Sequence, residues 1–402
     1  MSRQRDSIAI VGGGIAGVHT ALLCNLHHPQ CSVRLVEQSG RLGGRIYACV
    51  DKDGKSFPMG AWRYHLQHTP RTAQLVAELN IRYTAWPYRL AKLVVHDRVY
   101  DLDAAIPLRA RGWNKRVCQQ PRAHQGSDVA SLDALVAAVG YNCLSQLPAD
   151  CAADLFDKLP ERDPEGWVLP DGGFAAVFAA LVERLTSRTR IVLNHRLTRI
   201  QKLSDAVPGY ELHFDGPAHR TLRVDKVVLA LPGHELATIA GEEIGPVRQI
   251  GSSIGTIPKF RAWLCYDDDV IGRIPLRANS IVFTTERPRK IYIGPRHVMI
   301  YNDLADAEQM AVVAARGPGA LGVEVAKTLD RFCGYDTMKL AAPVAVHWKY
   351  WSHAINFLGD IPRCGIDRLP CGLAIANEAL SDHHGFIEGA LASSRAAYDK
   401  LW

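Results

Sequence analysis

The chain has 402 residues, 48% hydrophobic and 22% charged, which excludes a disordered or fibrous protein and suggests two or three structural units around a sizeable core. Its 47 Lys and Arg against 41 Asp and Glu leave a net charge of +6, too weak and scattered to argue for nucleic acid but suited to a small anionic substrate. Its ten cysteines include no C-x-x-C pair and no apolar run reaches the ~20 residues of a membrane span, so we expect reduced cysteines, no zinc ribbon and a cytoplasmic protein that avoids membranes.

The elements follow in chain order. Residues 8–11 form a β-branched run that predicts a strand. It runs straight into glycines, not into the long apolar stretch of a secretory signal. Residues 16–26 read as a helix and 32–37 as a second strand, together a βαβ unit. A helix is expected over 70–80, with Thr69 as N-cap and Pro70 at the first helical position. Residues 109–127 carry Arg109, Arg111, Lys115, Arg116 and Arg122, most simply a solvated basic loop, alternatively an anion- or membrane-surface patch. Helices are expected over 128–139, 174–185, 323–332 and 387–401. Strands are expected over 190–193, 210–214, 226–231, 259–266, 280–284, 290–293, 298–301 and 344–350. This order points to a nucleotide-binding domain interrupted by a second domain.

Gly12-x-Gly14-x-x-Gly17 lies between the first strand and the first helix. Gly12 permits the tight turn, Gly14 lets the backbone approach a pyrophosphate, and Gly17 lets the helix pack on the strand. The helix N-terminus favours the phosphates. Glu37, twenty residues after Gly17, stands where a carboxylate accepts from a ribose. Downstream, Arg41-Leu42-Gly43-Gly44-Arg45 reads as a second anion site of backbone amides and guanidiniums.

These motifs resemble the flavin-containing amine oxidase superfamily, in which they jointly cradle FAD. Met59-Gly60-Ala61-Trp62-Arg63-Tyr64 looks like the family segment beside the isoalloxazine ring. Residues 373–378 look like the C-terminal strand that carries an acid, here Glu378, to the ribityl chain, with Asn377 replacing the usual glycine. Gly385-Phe386-Ile387-Glu388-Gly389-Ala390 resembles the stretch whose helix N-terminus faces the flavin pyrimidine. The resemblance thus assigns cofactor binding to Gly12, Gly14, Ala16, Gly17, Glu37, Gln38, Arg41, Gly43, Gly44, Arg45, Gly60, Ala61, Trp62, Leu197, Glu378, Gly385, Phe386 and Ile387, with FAD expected to be non-covalent.

Short matches in one order along nearly the whole chain are similar to the bacterial L-tryptophan oxidases of indole-pigment (violacein) biosynthesis. They include Gly60 to Tyr64, Val139 to Asn142, Arg289 to Tyr292, Tyr301 to Asp303 and Lys349 to His353. The resemblance implies an FAD-dependent L-amino-acid oxidase. It would oxidise tryptophan or another large apolar amino acid by hydride transfer from Cα to flavin N5, with O2 reduced to hydrogen peroxide. It assigns the substrate carboxylate to Arg63, with Tyr301 as a second donor. The lysine expected near N5 falls on Arg261 by one count and on Lys259 by another; residues two apart on a strand share a face, and both stay open. Trp351 and Tyr141 are expected to line the substrate pocket. His65, His68, His383 and His384 lack the partners of a metal site, and no metal is expected.

The implied fold is α/β: a Rossmann-like FAD-binding domain from 1–69, 166–254 and 346–402, interrupted by an α+β substrate-binding domain from 70–165 and 255–345. A homodimer is the default expectation. Three rival readings remain. An amine or polyamine oxidase, a desaturase or a mutase of the same fold would not need Arg63 for a carboxylate. Gly43-Gly44-Arg45 and the 378–389 segment argue against an NAD-dependent dehydrogenase. A redox-inactive flavin- or partner-binding protein has only the basic segment as its foothold.

Overall fold

The structure is a computed structural model. It describes residues 6–95, 98–101, 165–204, 208–217, 220–274, 276, 278–284, 287–333, 340–358 and 363–402. Tyr141, the basic segment 109–127 and the helix expected over 128–139 lie outside the described residues.

The first βαβ unit folds as its pattern requires. Strand Ser7–Val11 leads into helix Ile15–His27 and strand Ser32–Val36. These strands belong to a five-stranded sheet, ordered Thr189–Val192, Ser32–Val36, Ser7–Val11, Lys226–Leu229, Leu373–Ile375, with every pair parallel. A parallel sheet covered on both faces needs apolar residues at consecutive positions. Ile8 and Ile10 accordingly pack on one side with helix residues Val18 and Leu391. Ala9 and Val11 pack on the other with Leu212 and Leu236. Ser7–Val11 lies at the switch point of the strand order, where such sheets bind ligands beyond the strands' carboxyl ends.

A seven-stranded sheet forms the second layer, ordered Ala345–Leu358, Ile254–Cys265, His297–Asp303, Lys290–Ile293, Ser280–Thr284, Arg89–Val95, Arg98–Asp101. It is antiparallel except where Ser280–Thr284 meets Arg89–Val95. Alternation divides its strands cleanly. Phe260, Ala262, Val298 and Ile300 pack against Met310 and Leu329 of helices Leu304–Ala315 and Pro318–Cys333. Lys259, Arg261, Trp263, Met299 and Tyr301 have the opposite parity, and Arg261 and Trp263 reach the backbone of Pro58.

The structure differs from the sequence expectations in several places. Strand Ala345–Leu358 runs past the expected end at 350 and pairs with Ile254–Cys265, so residues 345–358 are hydrogen-bonded into the seven-stranded sheet. The strand expected over 298–301 extends through His297–Asp303, and helix Leu304–Ala315 follows at once. That helix escapes a periodicity search because alanines supply much of its buried stripe, at Ala307 and Ala314. Strands Arg196–Lys202 and Arg220–Val224 flank the expected strand Tyr210–Asp215. They bury too few side chains to show an alternating pattern. Among the described residues no helix is long and apolar enough to cross a membrane.

Candidate active site

The glycine turn is built as its spacing demands. Gly12 has φ +110°, and a Cβ there would stand 2.2 Å from the Ala230 carbonyl oxygen. A Cβ on Gly17 would lie 1.9 Å from the Gly12 oxygen, so only glycine lets the helix approach the strand. Gly14 differs: a Cβ there meets nothing within 4 Å, because the turn faces open space. Gly14 is also the N-cap of helix Ile15–His27 and offers no side-chain cap, which leaves first-turn amides to an anion. Glu37 is buried and accepts from the Gly13 amide at 2.7 Å, the Ser39 amide at 2.9 Å and the Ser39 hydroxyl at 2.8 Å. A carboxylate has about four acceptor positions, so one remains for a ribose hydroxyl. Gln38 is exposed beside it, and Ala16 is partly buried in the first turn. The open space at Gly14, the uncapped helix and the remaining acceptor of Glu37 fit a dinucleotide.

The Arg41–Arg45 loop docks on this turn through the Gly43 amide, which donates to Gly13 O at 2.8 Å. Its arginines, expected from the sequence at an anion site, are engaged by protein groups. Arg41 donates to the carbonyls of Leu42, Gly44 and Ile46 and so braces its own loop. Arg45 forms a two-point ion pair with Glu378 and donates to Ala354 O at 2.7 Å. Glu378 also accepts from the amide and side-chain nitrogens of Asn356. Burial alone would raise its carboxyl pKa, but the Arg45 charge and these hydrogen bonds outweigh burial and hold it below the usual carboxylate range. Asn377 needs no glycine, because its side chain caps the turn Glu378–Leu380 and bonds Leu231 O. Leu197 is buried with Val11 and Val36, so its side chain packs beneath the site.

A cavity opens where the two layers meet. Gly60, Ala61, Trp62 and Arg63 form one wall, Arg261, Tyr292, Met299 and Tyr301 of the seven-stranded sheet a second, and Ile355 with His384, Gly385, Phe386 and Ile387 the rest. The first wall is held by three side chains from the sheet. Trp263 donates to Pro58 O at 3.0 Å, Trp351 to Met59 O at 2.9 Å and Arg261 to Gly60 O at 2.7 Å. The last wall precedes helix Ile387–Leu401, whose Glu388 is fully buried. Glu388 accepts from the backbone and side chains of Arg71 and Thr72 and so caps helix Pro70–Glu78 from a distance. Thr69, expected to cap that helix, spends its hydroxyl on the His65 backbone instead.

Arg63 and Arg261 therefore bring two guanidiniums to one cavity, and among the described residues no Asp or Glu lines it. Arg63 donates to the Tyr292 hydroxyl at 3.3 Å. Arg261 lies 5.0 Å from the centre of the Tyr301 ring. Lys259 also lies 5.0 Å from that ring, but it is ion-paired with buried Asp303 at 3.2 Å and is not on the cavity wall. Trp351, expected in the pocket, is not on the wall either; it holds the Met59 carbonyl. Residues given no site role from the sequence are Tyr292, Met299, Ile355 and His384 on the wall, with Trp86 and Trp167 behind Arg63. Strand parity with Tyr301 could have found Met299. Trp86 and Trp167 left no local signal.

Comparison with known proteins follows the same lines. A family model described as "DAO: FAD dependent oxidoreductase" matches residues 7–338. Among solved structures, this chain is similar to cyclohexylamine oxidase from Brevibacterium oxydans IH-35A, with a TM-score of 0.74 at 14% identity over 99% of each chain. It is also similar to a wild-type putrescine oxidase bound to putrescine, with a TM-score of 0.69 at 16% identity over 98% of each chain.

Proposed function

The chain belongs to the FAD dependent oxidoreductase (DAO) family, and from that premise we propose that it is an L-amino-acid oxidase for tryptophan or another large apolar amino acid. The observation that carries this reading is the pair Arg63 and Arg261 in a cavity with no acidic residue among its described walls. A guanidinium binds a carboxylate in two-point geometry. The same charges repel a diamine that keeps a second ammonium, so the cavity suits an amino acid better than a polyamine.

Arg63 takes the substrate carboxylate and Arg261 adds positive charge beside it, with the Tyr301 phenol as a further donor. The two cations also disfavour the substrate ammonium, so the amine sheds its proton to water before its Cα–H can be abstracted. Trp62, Tyr292, Met299, Ile355 and Phe386 supply an apolar surface for a large side chain and exclude water. Bound FAD, held without a covalent bond, supplies the two-electron acceptor, and O2 takes the electrons on to hydrogen peroxide. The released imine adds water to give a 2-oxo acid and ammonia.

The test is peroxide release from FAD-loaded protein across the twenty L-amino acids, D-tryptophan and a panel of amines. Turnover confined to large apolar L-amino acids is the expected result. Turnover of amines alone would replace it with the amine-oxidase reading, which the overall likeness to cyclohexylamine oxidase favours.

A further inference from the structure

Arg63 does not hang free in the cavity. Its guanidinium carbon lies 4.5 Å from the centre of the Trp86 ring and 5.4 Å from that of Trp167. Both indoles are buried, at 1% and 2% exposure. Their backbones are joined, since the Trp86 amide donates to Trp167 O at 2.8 Å. Trp86 meets Trp62 edge-on at 4.6 Å, and Trp167 packs against Phe386 at 6.1 Å. Trp62 and Phe386 are both cavity wall.

A guanidinium is weakly hydrated over its flat faces and stacks there on aromatic rings, while its N–H groups point outward in its plane. A guanidinium held over indole rings in this way keeps N–H groups available to a carboxylate. The ring contacts also settle in advance the rotamers of a side chain that otherwise loses freedom on binding. Nothing in the reaction itself requires either tryptophan, yet both lie where the substrate-binding cation must be held.

We propose that Trp86 and Trp167 form an aromatic clamp that positions Arg63 and so sets the preference for a carboxylate-bearing substrate. They are positioning residues that act through Arg63, and the proposal rests on the amino-acid oxidase reading. Trp86→Leu and Trp167→Leu should each raise KM for the best L-amino acid about tenfold, with kcat within about threefold. KM for the corresponding amino-acid amide should not change. Trp86→Phe and Trp167→Phe retain a ring face and should restore most of the affinity. Bound FAD and Tm of every variant separate misfolding from a kinetic effect, and the Phe variants carry the test if the Leu variants fail to fold.

Amino acid and amide weakened equally, or a Leu variant indistinguishable from wild type, would overturn the clamp and leave the oxidase reading intact. The same comparison runs without turnover, by titrating indole-3-acetate and indole-3-acetamide against flavin absorbance. A wild type that oxidises no amino acid, yet binds the acid about tenfold better than its Leu variants do, would end the oxidase reading and keep the clamp. A wild type that neither oxidises amino acids nor binds the acid would end both.

Discussion

Arg45 and Glu378, 333 positions apart in the chain, close a two-point ion pair that ties the glycine loop to the last strand of the parallel sheet. Glu378 is 3% exposed, whereas Arg45 still reaches solvent. Both had been expected to face the cofactor directly. The pair joins the two ends of the candidate dinucleotide site and reaches strand Ala345–Leu358 through Ala354 and Asn356.

The first prediction follows from that pair. The folded carboxyl of Glu378 titrates below its unfolded value. Its contribution is therefore present above the ordinary carboxylate range and is lost as pH falls through the lowered pKa. Arg45→Ala leaves a buried carboxylate without its cation and should cost about 3 kcal/mol. In thermal melts recorded as a function of pH, the gap between wild type and variant should be widest near neutrality and should narrow as pH falls through the carboxylate range, because protonation removes the wild-type ion pair and relieves the variant's buried charge. Equal melting temperatures at neutral pH, or a gap that does not change with pH, would show that the pair contributes nothing.

Glu37 governs the nucleotide end. Glu37→Ala removes the expected ribose acceptor and leaves the Gly13 and Ser39 amides without their partner. FAD should bind about ten- to a hundredfold more weakly, as read by quenching of flavin fluorescence on titration into apoprotein. Unaltered affinity would move the ribose away from Glu37.

Arg63→Ala should raise KM for the L-amino acid by about a hundredfold and lower kcat through misorientation. FAD content should stay at the wild-type level. A colourless variant would reassign Arg63 to the cofactor.

Glu388→Ala removes the acceptor for the Arg71 and Thr72 amides at the start of helix Pro70–Glu78. The expected cost is about 2 to 3 kcal/mol, seen as a drop of several degrees in Tm. Thr72→Val loses one hydroxyl bond of 3.0 Å and should fall by less. Equal melting temperatures for both variants and wild type would show that this cap does not support the helix.

Much of the dinucleotide half was legible in the sequence because its constraints are local. The contacts of Gly12 and Gly17 follow from a strand, a turn and a helix within a few residues of one another. Glu37 stands where a strand of fixed length must end. Lys259, Arg261 and Tyr301 could be placed on one face of a sheet by alternation, but parity could not say which cation reaches the cavity. That was decided by Asp303, which pairs with Lys259, and by the Gly60 carbonyl, which draws Arg261 across. The carbonyl partners of Arg41 and Trp351 were not legible either, because no motif reveals which backbone oxygen a side chain beside a site will take up.

The sequence by itself determined the βαβ unit, the fingerprint glycines, the acid after the second strand and the apolar strands of both sheets, since these depend on residue type and short spacing. Only the tertiary structure decided which charges meet. Arg45 finds Glu378, Glu388 caps a helix more than 300 residues away, and two tryptophans close on Arg63. Those partners are chosen by chain reversals and sheet packing, so the interactions that shape the cavity become visible only once the two layers are in place.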